Sequence, residues 1–152
     1  MWLSEEQQAV WRNYLAIGTR LPAAMNRQLQ RDCGLSLSDY GVLVELSERG
    51  PLRVFELAEV LAWEQSRLSH QLRRMRTRGL LVRRRTGDDR RGAVVDLTDR
   101  GCAALRAAAP GHVELIRSTL FEGVSPTQLR AVRSWTETVL TRLATSQPRH
   151  SE

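Results

Sequence analysis

Gln65-Ser66-Arg67-Leu68-Ser69-His70-Gln71-Leu72-Arg73-Arg74-Met75-Arg76-Thr77-Arg78-Gly79-Leu80-Leu81-Val82-Arg83-Arg84-Arg85 reads as an amphipathic helix running into a strand. Leu68, Leu72 and Met75 recur at helical spacing and form one apolar face, which leaves the polar positions for solvent or a partner. Gly79 ends the helix, bounded at about 64–78. Leu80-Leu81-Val82-Arg83-Arg84-Arg85 and Ala93-Val94-Val95-Asp96-Leu97 are strand signals. The glycine- and aspartate-rich run Thr86-Gly87-Asp88-Asp89-Arg90-Arg91-Gly92 joins them, predicting a hairpin with a charged tip at about 86–92.

Upstream, Val54 to Leu61 forms a short helix that turns Leu57, Ala58 and Leu61 inward, and Ala62-Trp63 makes a tight turn into the helix at 64–78. Two short helices across a tight turn, followed by a hairpin, constitute a winged helix-turn-helix. The helix before them starts at Ser36 or Ser38, carries Tyr40, Leu43, Val44 and Leu46, and is stopped by Gly50-Pro51. A long first helix opens with the capping box Ser4/Gln7 and repeats Val10, Tyr14, Ile17, Leu21, Met25 and Leu29 on one face up to Asp32–Gly34. Pro22 within it predicts a kink or a local break.

Downstream, Thr98 caps an alanine-rich fifth helix bent at Pro110. Ser125-Pro126-Thr127-Gln128 then opens a sixth with Leu129, Val132, Trp135, Val139, Leu140 and Leu143. The expected fold class is mainly α: one chain, residues 1–152, with a winged-helix lobe at 36–98 and a polar tail at 146–152.

All 23 basic residues are arginine, and the formal net charge is +6. Ten of those arginines and only Asp88 and Asp89 fall between Gln65 and Val95, so this segment carries +8 and the rest of the chain −2. A solvated face would mix acids with the bases; a concentrated basic block attracts a polyanion. Between Gln65 and Val95 there is no aromatic residue of the kind that stacks on unpaired RNA bases, which leaves double-stranded DNA as the partner.

On the helix at 64–78, Ser66, Arg67, Ser69, His70, Arg73 and Arg74 lie off the apolar face. Arginine forks onto guanine O6 and N7, and serines near a helix N-terminus suit phosphate oxygens. In the turn, Asp89 is placed to hold Arg91, beside Arg90, in a fixed pose suited to the negative potential of a narrow minor groove. An ordinary polar hairpin turn explains the same spacing equally well.

No nucleophile–base pair or phosphate-binding glycine loop is present, and His112 and Glu114, two residues apart, do not share a helix face, so an enzyme is excluded. No cofactor or metal site is expected, since Cys33, Cys102, His70, His112 and His150 have no ligand spacing. The two cysteines read as small buried residues more readily than as sensor thiols. With no apolar run of membrane length and no leader, a cytoplasmic location is expected. The rival class is a winged helix used as a protein-interaction module, which the basic block disfavours.

The run Asp89-Arg90-Arg91-Gly92-Ala93-Val94-Val95-Asp96-Leu97-Thr98-Asp99-Arg100-Gly101 resembles the wing signature of the multiple-antibiotic-resistance regulator (MarR) family: D-x-R, alternating hydrophobics, then L-T-x-x-G. Leu57-Ala58-Glu59-Val60-Leu61, and Leu72-Arg73-Arg74-Met75 leading to Arg78-Gly79-Leu80-Leu81, resemble that family's helix-turn-helix, and the six-helix order matches over nearly the whole chain. Trp63 to Gln71 is similar to an actinobacterial branch.

The resemblance implies a DNA-binding transcription regulator, more commonly a repressor. It implies a homodimer whose helices at 4–32 and 99–145 intertwine as a base, with two recognition helices in successive major grooves of a pseudo-palindromic operator. It gives DNA contacts to Ser66, Arg67, Ser69, His70 and Arg91, with Asp89 orienting Arg91. It also implies release by a small aromatic or anionic effector lying between base and lobe. Trp11, Arg12, Tyr14 and Trp63 are the candidate lining residues, although plain packing is the weightier reading of these aromatics. Phe55 departs from the family, standing where a small polar residue often opens the third helix.

Overall fold

The computed structural model describes residues 2–85 and 93–146. The chain divides into two compact units at Leu115/Ile116. The first unit holds the winged helix-turn-helix and the long first helix.

Helix α1 (Glu5–Cys33) starts at Ser4, whose hydroxyl accepts the Gln7 N–H at 3.2 Å while the Gln7 side chain accepts the Ser4 N–H at 2.9 Å. It runs through Pro22 without the break that was one of the two outcomes expected there. A proline removes one backbone donor and crowds the carbonyl four residues back. Here that residue is Gly18, and the helix continues through it. Gly34 ends α1 at φ +66, a left-handed conformation that a side chain would strain.

Helix α2 (Leu37–Arg49) is capped by Ser36 rather than Ser38, because only Ser36 has a carboxylate three residues on: Asp39 accepts the Ser36 N–H at 2.8 Å, and the Ser36 hydroxyl accepts the Asp39 N–H at 2.9 Å. Strand β1 (Leu52–Arg53) follows, then α3 (Val54–Leu61) and α4 (Gln65–Thr77). Phe55 is exposed, and the start of α3 is held instead by Glu56, which accepts the Arg53 N–H at 2.8 Å. The turn between α3 and α4 closes with Ala62 at φ 53 and the Trp63 N–H on the Ala58 carbonyl at 2.9 Å.

Strands β2 (Leu81–Arg85) and β3 (Ala93–Leu97) pair antiparallel as the hairpin reading requires. The sheet is nevertheless three-stranded, in the order β1-β3-β2, with Leu52 opposite Val95 and Arg53 opposite Val94. Two residues are too few to show alternation, so β1 leaves no trace in the sequence pattern.

The core lies under the helix-turn-helix and joins Leu29 of α1, Val42, Leu43 and Leu46 of α2, Leu57 of α3, Leu68, Leu72 and Met75 of α4, Leu81 and Val95 of the sheet, and Ala108 of α5 (Asp99–Ile116). Burying each large side chain contributes about 1.5–3 kcal/mol, so the inner face of α4 is a main part of what holds it.

The link from sheet to α5 is a compact clamp. Thr98 donates its hydroxyl to the Gly79 carbonyl at 2.6 Å and accepts the Gly101 N–H at 3.0 Å. The Thr98 N–H reaches the Leu80 carbonyl at 3.2 Å. A Cβ on Gly101 would stand 2.1 Å from the Leu80 carbonyl oxygen, so the L-T-x-x-G pattern reflects a backbone contact that only glycine permits.

In the second unit a five-residue π-turn (Arg117–Phe121), which the sequence pattern does not announce, precedes α6 (Pro126–Ser146). Ser125 and Gln128 form the expected reciprocal cap, at 3.2 and 3.0 Å. Leu129, Val132, Trp135, Leu140 and Leu143 are all exposed on α6.

Candidate nucleic-acid interface

Helix α4 has three sides. Leu68, Leu72 and Met75 are buried as expected, and Gln71 joins them. Ser66, Arg67, Ser69, His70, Arg73 and Arg74 are all exposed. The helical repeat places Ser66, His70 and Arg73 opposite the core, with Ser69 beside them. The same repeat places Arg67, Arg74 and Arg78 along one flank, on the Gln71 side.

Each arginine of that flank is held by a different partner. The Arg67 guanidinium carbon lies 4.4 Å from the centroid of the Trp63 ring. Arg74 donates an Nη2–H to the Gln71 side-chain oxygen. Arg78 donates through Nη1 to Asp39 Oδ2 at 2.7 Å and through Nη2 to the Gly34 carbonyl at 2.8 Å. Gln71 in turn donates Nε2–H to Asp39 Oδ1.

Asp39 is therefore a hub. It is 3 % exposed and accepts from the Ser36 backbone, Gln71 and Arg78. A carboxylate so buried costs several kcal/mol unless its lone pairs are filled, and here both oxygens are engaged. The result ties the start of α2 to the middle and end of α4, which fixes the azimuth of the exposed stripe. Neither Asp39 nor Gln71 stood out in the sequence. Asp39 reads as a local cap, and Gln71 reads as one more polar residue until the helix is seen to roll it toward the core.

On the sheet, Arg83, Arg84 and Arg85 are exposed at the end of β2 that leads into the turn. Arg84 Nε sits 3.4 Å from Asp96 Oδ2 on β3. The wing-tip candidates Asp89, Arg90 and Arg91, with the rest of the turn at 86–92, lie outside the described residues.

The four effector candidates separate into two groups. Trp11 and Tyr14 stack on α1 with centroids 5.9 Å apart and planes inclined by 16°, both half-exposed, with Arg12 exposed beside them. Trp63 packs against the core and lies under Arg67, so its structural partner is the recognition helix.

Cys33 donates its thiol to the Leu29 carbonyl at 3.1 Å and packs against the core. A polar cluster lies where α5 meets α1 and α2. His112 is 7 % exposed with its ring 4.4 Å from that of Tyr40, and its Nδ1 has no hydrogen-bond partner among the described residues. Burial pulls the His112 imidazole below its ordinary pKa and, with a smaller contribution from Cys33, raises that of Tyr40. Among the described residues no cluster of three or more histidine, cysteine or acidic side chains could hold a metal. No described helix is long and apolar enough to cross a membrane.

Comparison with known proteins agrees with this architecture. A family model described as MarR family matches residues 34–92, which span α2 to the wing. The uncharacterized HTH-type transcriptional regulator YfiV of Bacillus subtilis (strain 168) is 30% identical over 132 residues, covering 86% of this chain and 80% of that protein. Among solved structures, Sco3205, a MarR family transcriptional regulator from Streptomyces coelicolor crystallised in complex with DNA, aligns with a TM-score of 0.87 at 38% identity, over 99% of this chain and 94% of that one. AbsC, another MarR family transcriptional regulator from Streptomyces coelicolor, aligns with a TM-score of 0.87 at 32% identity, over 96% and 99%. With a winged helix-turn-helix, a basic recognition face and relatives of this extent, the chain belongs to the MarR family of DNA-binding transcription regulators, and it is not an enzyme.

Proposed function

We propose that the protein is a repressor that binds a pseudo-palindromic operator as a homodimer, placing α4 in the major groove and the turn at 86–92 in the minor groove. The observation that carries this reading is the exposed stripe of Ser66, Ser69, His70 and Arg73, beside Arg67 and Arg74, on a helix that contains no acid. The inner side of α4 is committed to the core and one flank carries the held arginines, so the stripe is a face available to a partner. The N-terminus of α4 has no side-chain cap, which leaves its first N–H groups for phosphate oxygens. The crystallisation of Sco3205 in complex with DNA supports DNA as the partner.

Two copies are required because one recognition helix covers only a half-site. The exposed Val10, Trp11, Tyr14 and Ile17 of α1 and the exposed apolar residues of α6 support pairing of the chain ends, residues 4–32 and 99–145, as the dimer base. An effector in this scheme is a small aromatic anion that stacks beside Trp11 and Tyr14 with Arg12 as its counter-charge. It releases the operator only by binding one spacing of the two lobes better than the other.

The test is selection of bound sites from a random duplex pool, followed by affinity measurements on the selected site at increasing salt, with and without aromatic carboxylates. The expected result is a two-fold symmetric site bound by two chains, with log affinity falling linearly with log salt. A monomer on DNA, or an affinity indifferent to salt, overturns the reading.

A further inference from the structure

The three arginines on the flank of α4 differ in what holding them consumes. Arg74 spends a donor on Gln71, and Arg78 spends donors on Asp39 and Gly34. Arg67 is held by the face of an indole, and among the described residues no carboxylate pairs with it. Stacking restrains the guanidinium plane and leaves its in-plane N–H edge free, whereas an ion pair occupies that edge.

Trp63 is itself anchored. It occupies the position before the N-cap Glu64, and Leu68 occupies the fourth position of α4, the spacing of a hydrophobic staple. Trp63 packs against the buried cluster that contains Leu68. The indole is thus braced by the core while it carries Arg67.

From this geometry, and resting on the proposed role of α4 in the major groove, we infer that Trp63 is a positioning residue for base recognition: it presents Arg67 as a pre-ordered fork for a guanine O6/N7 edge. A free arginine loses rotamer freedom when it docks, for any base alike. One already fixed in plane docks at less cost where two acceptors lie side by side, as on guanine, and gains less elsewhere. Trp63 therefore acts on the preference for guanine more than on affinity for DNA at large.

The test uses the full chain, its selected operator, and the same operator with each half-site G·C pair exchanged in turn for A·T. Arg67→Ala is expected to abolish the preference at one pair, a change of about tenfold or more. Trp63→Leu keeps an apolar staple without a π face and is expected to lower the preference at that same pair about threefold, leaving affinity for unrelated duplex near wild type. Trp63→Phe, with a smaller ring, is expected to fall between, and it stands in if the leucine variant does not fold. In the Arg67→Ala background, replacing Trp63 is expected to do nothing further.

If Arg67→Ala abolishes the preference but both Trp63 variants retain it, the positioning role is overturned while the groove assignment stands. An equal loss of operator affinity from Trp63→Leu with and without Arg67 likewise overturns it, by making the indole a packing residue only. Full preference in Arg67→Ala overturns the inference and the base-reading role of Arg67 together.

Discussion

Asp39 and Arg78 meet at 2.7 Å across 39 positions of sequence, and their ion pair, with Gln71 on the other carboxylate oxygen, fastens α4 to the start of α2. The carboxylate is almost wholly buried while the guanidinium is 42% exposed, so the acid is the member that depends on its partners. Asp39→Ala is expected to leave Gln71, Arg78 and the Ser36 N–H without their acceptor and to destabilise the fold by about 2–4 kcal/mol. Arg78→Ala should cost less, about 1–2 kcal/mol, because the carboxylate keeps the Ser36 N–H and Gln71. Urea unfolding of the two single variants and the double checks this. Because they share one contact, the double should fall well short of the sum.

Gly101 offers a sharper test of packing. Its neighbour is the Leu80 backbone carbonyl, which cannot rotate aside as a side chain could. Gly101→Ala must push α5 away from the sheet, breaking the Thr98 clamp on Gly79 and Leu80. A loss of about 2 kcal/mol or more is expected from overpacking alone. Thr98→Ala, which removes the hydroxyl and the methyl but leaves the backbone where it is, should cost about 1 kcal/mol. Thermal melts that rank the two variants the other way would show that the α5 contact relaxes easily.

The fold was largely legible because its decisive signals are periodic. Leu68, Leu72 and Met75 identify α4, Ser4/Gln7 and Ser125/Gln128 mark two helix starts, and the β2–β3 hairpin follows from its turn. What escaped is non-local or too short for a period. Strand β1 exists only because Val94 and Val95 are there to pair with it, and the hub on Asp39 joins residues 32 and 39 positions apart. At the interface, residue types and helical spacing were enough to nominate the exposed stripe. The indole under Arg67 was not foreseen, because Trp63 reads in sequence as a possible effector contact or as packing.

His112 makes stability depend on pH in a specific window. Its imidazole is buried against Tyr40 with Nδ1 unpartnered, beside Gly111, whose position faces Gln28 and Asp32 of α1. Burial lowers its folded pKa below the ordinary 6.5, so between the two values the unfolded chain binds the extra proton. Stability is then fully present above about pH 6.5, falls as the pH drops toward the folded pKa, and levels off below it. Asp32, whose carboxyl is held below its usual range by hydrogen bonds from Gln28 and Arg31, acts in a separate window below pH 3.8. His112→Phe, which keeps a ring against Tyr40, should flatten the melting temperature between pH 7 and 5 relative to wild type. An identical slope in the variant would assign the effect elsewhere.

The exposed arginines of β2 and the stripe on α4 should differ in kind. Arg83 and Arg85 stand on the strand entering the wing. In the proposed docking a guanidinium there faces phosphates, which carry charge but no sequence. Replacing either by alanine should weaken binding to all duplexes alike and reduce the slope of log affinity against log salt by about 1, because one fewer counterion is released. His70 stands opposite the core on α4, and in the proposed docking of α4 in the major groove it faces base edges. His70→Ala should therefore change which sites are selected from a random pool and leave the salt slope near wild type. The two classes are separable in one experiment, by measuring the selected site and an unrelated duplex at several salt concentrations. If His70→Ala acted like the strand arginines, uniformly and through salt, α4 would be lying on the phosphate backbone, outside the groove.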